Sequence, residues 1–241
     1  FFVPEDFRTQ VIHNQGVPGG VHRPYCTVLT TSLKDGYLPT MGSVAWAAIA
    51  EEAAYGDNTP TVGQVSFNIR KAGGTTKVSS ELLEDSAINL PALLSQIFGE
   101  AQGRYEDTQL IGGDGTGEAE GIRTSATDGT VSASATAVAI ADFQTWYFNL
   151  PAQFRANAIV STTSSLMAQV AALDVTANKG SLTSAPATSL LGRTTALFDG
   201  TGWDDATAIS AGEEIGCIGD FSNYYLIDRI GMSMRRDDSI Y

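Results

Sequence analysis

The sequence predicts an α+β fold, and three patterns within its 241 residues carry that expectation. Leu90, Leu94, Ile97, Ala101, Tyr105 and Thr108 recur every three or four residues, the period of one helix face. Val65, Phe67 and Ile69 alternate with Gln64, Ser66, Asn68 and Arg70, the period of a strand. Further on, the apolar run Ala158, Ile159, Val160 is followed by a helix opened by Ser164, with Leu166, Met167, Val170 and Leu173 on one face. A hydrophobic content of 43% is ample for a packed core, in one large domain or two modest ones.

Taken in order, residues 1–40 are punctuated by Gly16, Pro18, Gly19, Gly20 and Pro24 and contain one short apolar run, Tyr25 to Leu29: an extended arm with a strand. Gly56, Asp57, Asn58, Thr59 and Pro60 mark a turn that splits the next segment in two. Its first half, Ala45 to Ala54 with Glu51 and Glu52, reads as helix on propensity. The long helix has a chemically reasonable start, since Asn89 can accept from exposed first-turn amides and Pro91 sits where an amide would lack a partner. About twenty residues at 1.5 Å each make it roughly 30 Å long, ending near Glu106 and Asp107. Carboxylates there oppose the helix dipole, so a cationic partner is expected, Arg104 or a residue of another chain. The glycine loop Gly112 to Gly117 reads as a helix-ending turn that permits positive φ. Val131 to Ala141 is small and apolar; Asp142 caps a helix bearing Phe143, Trp146, Tyr147 and Leu150, closed by Pro151. After a polar stretch from Asp174 to Thr188, Gly219, Asp220 and Phe221 lead into a half-exposed strand from Tyr225 to Met234.

The run Val78, Ser79, Ser80, Glu81, Leu82, Leu83, Glu84, Asp85, then the long helix, the acidic pair Glu106 and Asp107, and the loop Gly112 to Gly117 followed by Gly121 and Ile122 agree in order and spacing with one family. The segment resembles the major capsid proteins of tailed bacteriophages, typified by phage Hong Kong 97. The resemblance covers roughly residues 25–236, weakest in the middle. It implies a Hong Kong 97-like capsid fold: an arm with the first peripheral strand (1–40), an extended β-hairpin loop (41–75), a peripheral domain with a spine helix (76–134), an axial domain (135–215) and a return strand of the peripheral domain (216–241). In that reading Ala45 to Ala54 is the outgoing strand of the hairpin rather than a helix, and Leu190, Leu191, Gly192 resembles a strand entry late in the axial domain.

A two-stranded ribbon is marginal alone in water, so one carrying Val44, Trp46, Ile49, Phe67 and Ile69 must lie on another surface, a neighbouring subunit or its own domain. The expected subunit interface comprises Trp46, Ile49, Phe67, Ile69, Arg70, Glu81, Glu84 and Asp85. The resemblance implies pentamers and hexamers in an icosahedral shell around double-stranded DNA, contacted without sequence-specific binding. It implies as partners a portal, a scaffold or maturation protease and a decoration protein, with assembly in the host bacterial cytoplasm and residence in the virion. Some members weld subunits through a lysine on the hairpin. Ser43 to Arg70 has none, and Lys71 and Lys77 stand at its base, so noncovalent contacts or a cementing protein are expected. Phe1 is not methionine, which implies processing or truncation in front, and the family usually continues past the equivalent of Tyr241.

Lys plus Arg number 14 against 27 acids, and the net charge of −13 argues against phosphate-tracking surfaces. Acidity suits a wall that DNA slides past, and equally simple solubility. Cys26 and Cys217 are too few for a disulfide framework and are expected reduced and buried. Nothing approaches eighteen consecutive apolar residues, and FFVPEDFRTQ lacks the features of a signal peptide.

Enzymatic readings fare worse. His13 and His22 are the only histidines, too few and too isolated for a metal site, and they make a Ser/His/Asp triad improbable. The glycine loop lacks a phosphate cradle's lysine, has Glu118 where a dinucleotide fingerprint needs glycine, and follows a helix rather than a strand. Glu81, Glu84 and Asp85 could pair as glycosidase carboxylates, but three acids at a turn more often form a solvated face or bridge to another subunit. No cofactor is expected. The alternatives are an encapsulin-type nanocompartment shell, holding cargo enzymes instead of DNA, and a monomeric carbohydrate-active enzyme.

Overall fold

The long helix α1 spans Leu90–Gly112, 23 residues and about 34 Å. This computed structural model describes residues 19–52, 54, 56–78, 89–126, 138–177, 189–206, 209–210 and 212–229. Asn89 caps α1 as the sequence indicates, its Oδ1 accepting from the Ala92 amide at 3.3 Å. The helix does not end near Glu106 and Asp107 but runs on to Gly112, so these acids lie within it. Its apolar stripe is at best half-covered: Leu90, Leu94 and Ile97 are half-buried, whereas Ala101 and Tyr105 are exposed. Burial is concentrated instead in the last turns, at Asp107, Leu110 and Ile111.

The loop after α1 depends on close backbone approach as well as on positive φ. A Cβ on Gly113 would stand 2.0 Å from the Ala119 oxygen, and one on Gly121 2.5 Å from the Gly113 nitrogen. The helix-ending residue Gly113 itself is extended, and Gly115, at φ +72°, takes the left-handed position. A short helix α2, Ile122–Ser125, follows.

Strands β1 (Thr27–Thr30) and β8 (Tyr225–Asp228) pair in parallel, Thr27 opposite Tyr225. Of the strand expected to reach Met234, Arg229 is a bend past the end of β8, and residues 230–234 lie outside the described residues. β2 (Asp35–Met41) and β3 (Val62–Asn68) form the antiparallel ribbon, Asp35 opposite Asn68 and Met41 opposite Val62. The period-two expectation for β3 is therefore met, with Ile69 and Arg70 just past its end. The outgoing strand, however, is Asp35–Met41 rather than Ala45 to Ala54, and the ribbon starts ahead of residue 41. The described part of the alanine-rich segment is neither helix nor strand. Its side chains are exposed and gain nothing from ordering that would offset the entropy of a marginal isolated helix.

The rest builds one four-stranded sheet, in the order β5-β6-β4-β7, from β4 (Ile159–Thr162), β5 (Ser189–Leu190), β6 (Arg193–Leu197) and β7 (Gly216–Gly219). Residues 216–219, expected to begin the return strand, pair antiparallel with β4 in this sheet. Leu191 (φ 55°) and Gly192 (φ 71°) are a two-residue turn with both φ positive, so Leu190, Leu191, Gly192 form a tight hairpin that leads from β5 into β6.

Helices α3 (Ile140–Asn149), α4 (Ala152–Arg155) and α5 (Ser164–Ala177) accompany the sheet. Asp142 stabilises the start of α3 from inside: it occupies the third helical position and accepts from the Ala139 amide at 2.8 Å. The first turn of α5 is held from a distant segment, Asp199 accepting from both the amide and the hydroxyl of Ser164 at 2.6 Å.

Alternation along β4 and β7 separates two cores. Val160 and Ile218 face a cluster with Phe143, Leu166, Met167, Val170 and Leu190, as the helical spacing after Ser164 predicts. Ile159 and Cys217 face the other cluster, where Leu110 and Ile111 at the end of α1 meet Phe198, Trp203 and Phe221. The sheet thus lies between α3 and α5 on one side and the end of α1 on the other.

Candidate functional site

The ribbon and the described part of the segment joining its strands present apolar side chains to solvent. Trp46 is 96% exposed, Val62 75%, Met41 74%, Tyr37 65% and Val65 56%; Val44 and Ile49 are exposed as well. Phe67 and Ile69 are half-buried at the base. There the Phe67 ring lies over Gly36, where a Cβ would stand 2.5 Å from the ring, so glycine at position 36 admits the aromatic. Exposed Arg70 reaches the glycine loop, Nη2 donating to the Thr116 carbonyl at 3.5 Å. At the tip Asp57 accepts from the Thr59 amide at 3.1 Å, an Asx turn of the kind the local sequence indicates. Glu81, Glu84 and Asp85, the other expected interface residues, lie outside the described residues.

Away from the ribbon strands, where the arm meets α1 and the sheet, is a polar hub that sequence reasoning missed. The arm crosses α1 at Gly19 and Gly103, where a Cβ on Gly19 would lie 2.0 Å from the Arg104 nitrogen. One turn further along, Asp107 accepts from the amides of Val21 (2.9 Å) and His22 (3.1 Å) and from His22 Nδ1 (3.0 Å). His22 Nε2 lies 2.7 Å from Ser161 Oγ on β4, which accepts from Trp203 Nε1 at 2.9 Å. A carboxylate can only accept, so His22 Nδ1 donates to Asp107, and the contact of Nε2 with Ser161 leaves both ring nitrogens with a partner.

Asp107, His22 and Ser161 thus stand in the order of a nucleophilic triad, the arrangement the sequence made improbable. Their setting excludes that chemistry. His22 and Ser161 are wholly buried and Asp107 nearly so, His22 is flanked by the rings of Phe198 and Phe221 at 6.1 Å, and the Ser161 oxygen is already engaged by Trp203. The hub joins arm, helix, sheet and the Trp203 loop. Burial by itself raises the Asp107 pKa, but the hydrogen bonds from His22 and the two amides outweigh it and hold the carboxyl below its usual value.

The expected partner Arg104 does not take up the acids of α1. Glu106 pairs with Arg23 at 2.7 Å, and Arg23 also binds Asp228 of β8, so one guanidinium ties arm, helix and last strand. These two hydrogen bonds outweigh burial and raise its pKa further. Arg123 of α2 similarly bridges Glu214 (2.5 Å) and Asp204 (3.0 Å). What hid these partners was separation: Asp107 lies 85 residues from His22, and Ser161 139 residues away. The misplaced-looking acids within the helix were the one local signal.

Both cysteines are free and half-buried, and burial pushes their thiols up, to about 11 for Cys26 and about 12 for Cys217. Thiols so protonated are poor nucleophiles. Among the described residues no three potential metal ligands gather, and no helix there is long and apolar enough to cross a membrane.

An exposed apolar ribbon on a subunit whose buried triad-like cluster is closed to solvent suits contact rather than turnover, and comparison with known proteins agrees. The sequence matches the phage capsid family over residues 1–241. The chain belongs to the phage capsid family. It is therefore a structural capsid protein, not an enzyme, and its mixed helix-and-sheet fold resembles solved capsids. The capsid of the empty GTA particle, computed with C5 symmetry, superposes with a TM-score of 0.75 at 23% identity, over 95% of this chain and 81% of that one. The capsid of the native GTA particle gives 0.76 at 21% identity, over 95% and 83%. The chain from Gordonia phage Cozz gives 0.65 at 18%, over 91% and 74%. At such identities the likeness concerns the fold alone. A search of curated proteins finds no match to this capsid chain.

Proposed function

We propose that the chain is a major capsid protein whose copies form pentamers and hexamers and close into an icosahedral shell around the double-stranded DNA of a tailed phage or prophage. The observation that carries this reading is the ribbon with its connecting segment: Met41, Val62 and Val65 on the strands and Trp46 between them are more than half exposed, and a two-stranded element cannot bury them itself. Covering Trp46 alone removes roughly 200 Å² from water, about 4–5 kcal/mol before the costs of ordering. A neighbouring copy supplies the cover, and head-to-tail contacts of this kind close into rings when the rotation permits. The C5 symmetry with which the similar GTA capsids were computed supports fivefold rings.

In this reading Trp46, Ile49, Phe67, Ile69 and Arg70 meet the next subunit, with Glu81, Glu84 and Asp85 as acidic contacts. The units are a peripheral domain that contains the spine helix α1, an axial domain that contains the four-stranded sheet, and an extended hairpin. The net charge of −13 keeps the inner wall from gripping packaged DNA. With no lysine in Ser43 to Arg70, the shell is held noncovalently. A portal, a scaffold or maturation protease and a decoration protein complete the particle in the bacterial cytoplasm.

Light scattering coupled to size-exclusion chromatography, followed by electron microscopy, tests the proposal. Megadalton particles with fivefold and sixfold capsomers are expected. A monomer that persists at high concentration would refute it.

A further inference from the structure

Arg155 of α4 and Arg193 at the start of β6 converge on one aromatic ring. Both guanidiniums lie 5.7 Å from the centre of Tyr147, and Arg155 also lies 5.3 Å from that of Phe148. All the cation–π contacts among the described residues fall here. Backbone and phenol oxygens hold both arginines in place. Arg155 donates from Nε to the Leu150 carbonyl and from Nη2 to that of Phe148, each at 2.7 Å. Arg193 donates from Nη1 to the Ala156 carbonyl at 2.9 Å and from Nη2 to the Tyr147 hydroxyl at 3.0 Å.

Neither arginine forms an ion pair among the described residues, whereas Arg23 and Arg123 each hold two carboxylates. Arg155 Nη1 and Arg193 Nε keep N–H donors with no protein acceptor among those residues. Beside them Phe148 is 65% exposed. Fixed arginines with exposed aromatic surface are the composition of an interface hot spot, and their prior immobilisation lowers the entropy lost on binding.

We infer that the patch of Tyr147, Phe148, Arg155 and Arg193 is a second inter-subunit contact, separate from the ribbon, that receives a carboxylate-bearing segment of another copy of this chain. Charge complementarity selects the occupant. Every copy carries 27 acids against 14 cations, so an approaching copy brings an excess of carboxylates, and two unpaired guanidiniums locally reverse a repulsion that would otherwise grow with packing. Two cations on so acidic a chain are too few to track a nucleic-acid backbone. The inference rests on the shell reading above.

The test compares assembly of the full chain with that of R155Q/R193Q and, separately, F148S, which removes exposed ring surface but keeps both cations and all their hydrogen bonds. Light scattering against concentration at low and high salt is the readout, with circular dichroism of the unassembled fraction confirming the fold. For the double variant the half-assembly concentration should rise about tenfold, and its assembly should lose much of the parent's salt dependence. For F148S a smaller rise with the salt dependence intact is expected. Parent-like assembly of folded variants would overturn this inference while leaving the shell reading standing. So would particles that form normally but lose only their nucleic acid, which would make the patch a DNA contact. A parent chain that never assembles would instead sink both readings.

Discussion

Replacing Asp107 with alanine withdraws the acceptor from three donors at once: the amides of Val21 and His22 and the Nδ1 proton of His22, at 2.9, 3.1 and 3.0 Å. Both His22 donors are buried, and a buried donor left without a partner costs about 1–3 kcal/mol. Val21, only partly buried, can recruit water and contributes little. Losing the desolvated carboxylate offsets some of this, so the substitution should destabilise the subunit by about 3–5 kcal/mol. That is a large share of the roughly 5–15 kcal/mol that holds a domain folded. Asp107→Asn keeps one acceptor oxygen but turns an NH₂ toward one of the donors, and should cost about 1–3 kcal/mol. Guanidinium unfolding of dissociated subunits measures both, with tryptophan fluorescence reporting on Trp203, which donates to the same Ser161. An Asp107→Ala loss below about 1 kcal/mol with an unchanged denaturant slope would refute the hub as the joint between arm, helix and sheet.

Acid should weaken the same joint. Asp107 is held below its ordinary value of 3.8, so its contribution is fully present above that pH and is lost as pH falls through the lower folded-state value; Asp107→Asn should remove this part of the acid sensitivity, measured as the denaturation midpoint against pH. Gly19→Ala should cost at least about 2 kcal/mol, because its Cβ would meet the α1 backbone at 2.0 Å. Gly103→Ala, whose Cβ would approach Gly19 and Gly20 at 3.1 Å, should come out close to neutral, since about 1 kcal/mol of helix propensity offsets the crowding; paired thermal melts decide. Trp46→Ala should leave subunit stability within about 0.5 kcal/mol yet raise the half-assembly concentration about tenfold or more, and equal assembly of the two proteins would remove Trp46 from the interface.

Periodicity determined much of this protein without help. The spacing of Leu166, Met167 and Val170 was enough to place a helix against a core, and alternation at Val65 and Phe67 to place a strand, because side chains that share a face repeat with the geometry of the backbone beneath them. Asn89 and the Asp57 turn were legible for a similar reason: each acts on amides two or three residues away. The order of the acidic run, helix and glycine loop was enough to point to the family. Partnership across the chain was decided only in three dimensions. Nothing local says that Asp35–Met41, rather than Ala45 to Ala54, pairs with Val62–Asn68, since a ladder exchanges backbone groups that every residue carries. Nor does any motif join His22 to Asp107 and Ser161. Their contact exists because Gly19 lets the arm cross α1 at Gly103 and the sheet then closes over it, and the buried donors must find acceptors there, whatever their distance in sequence.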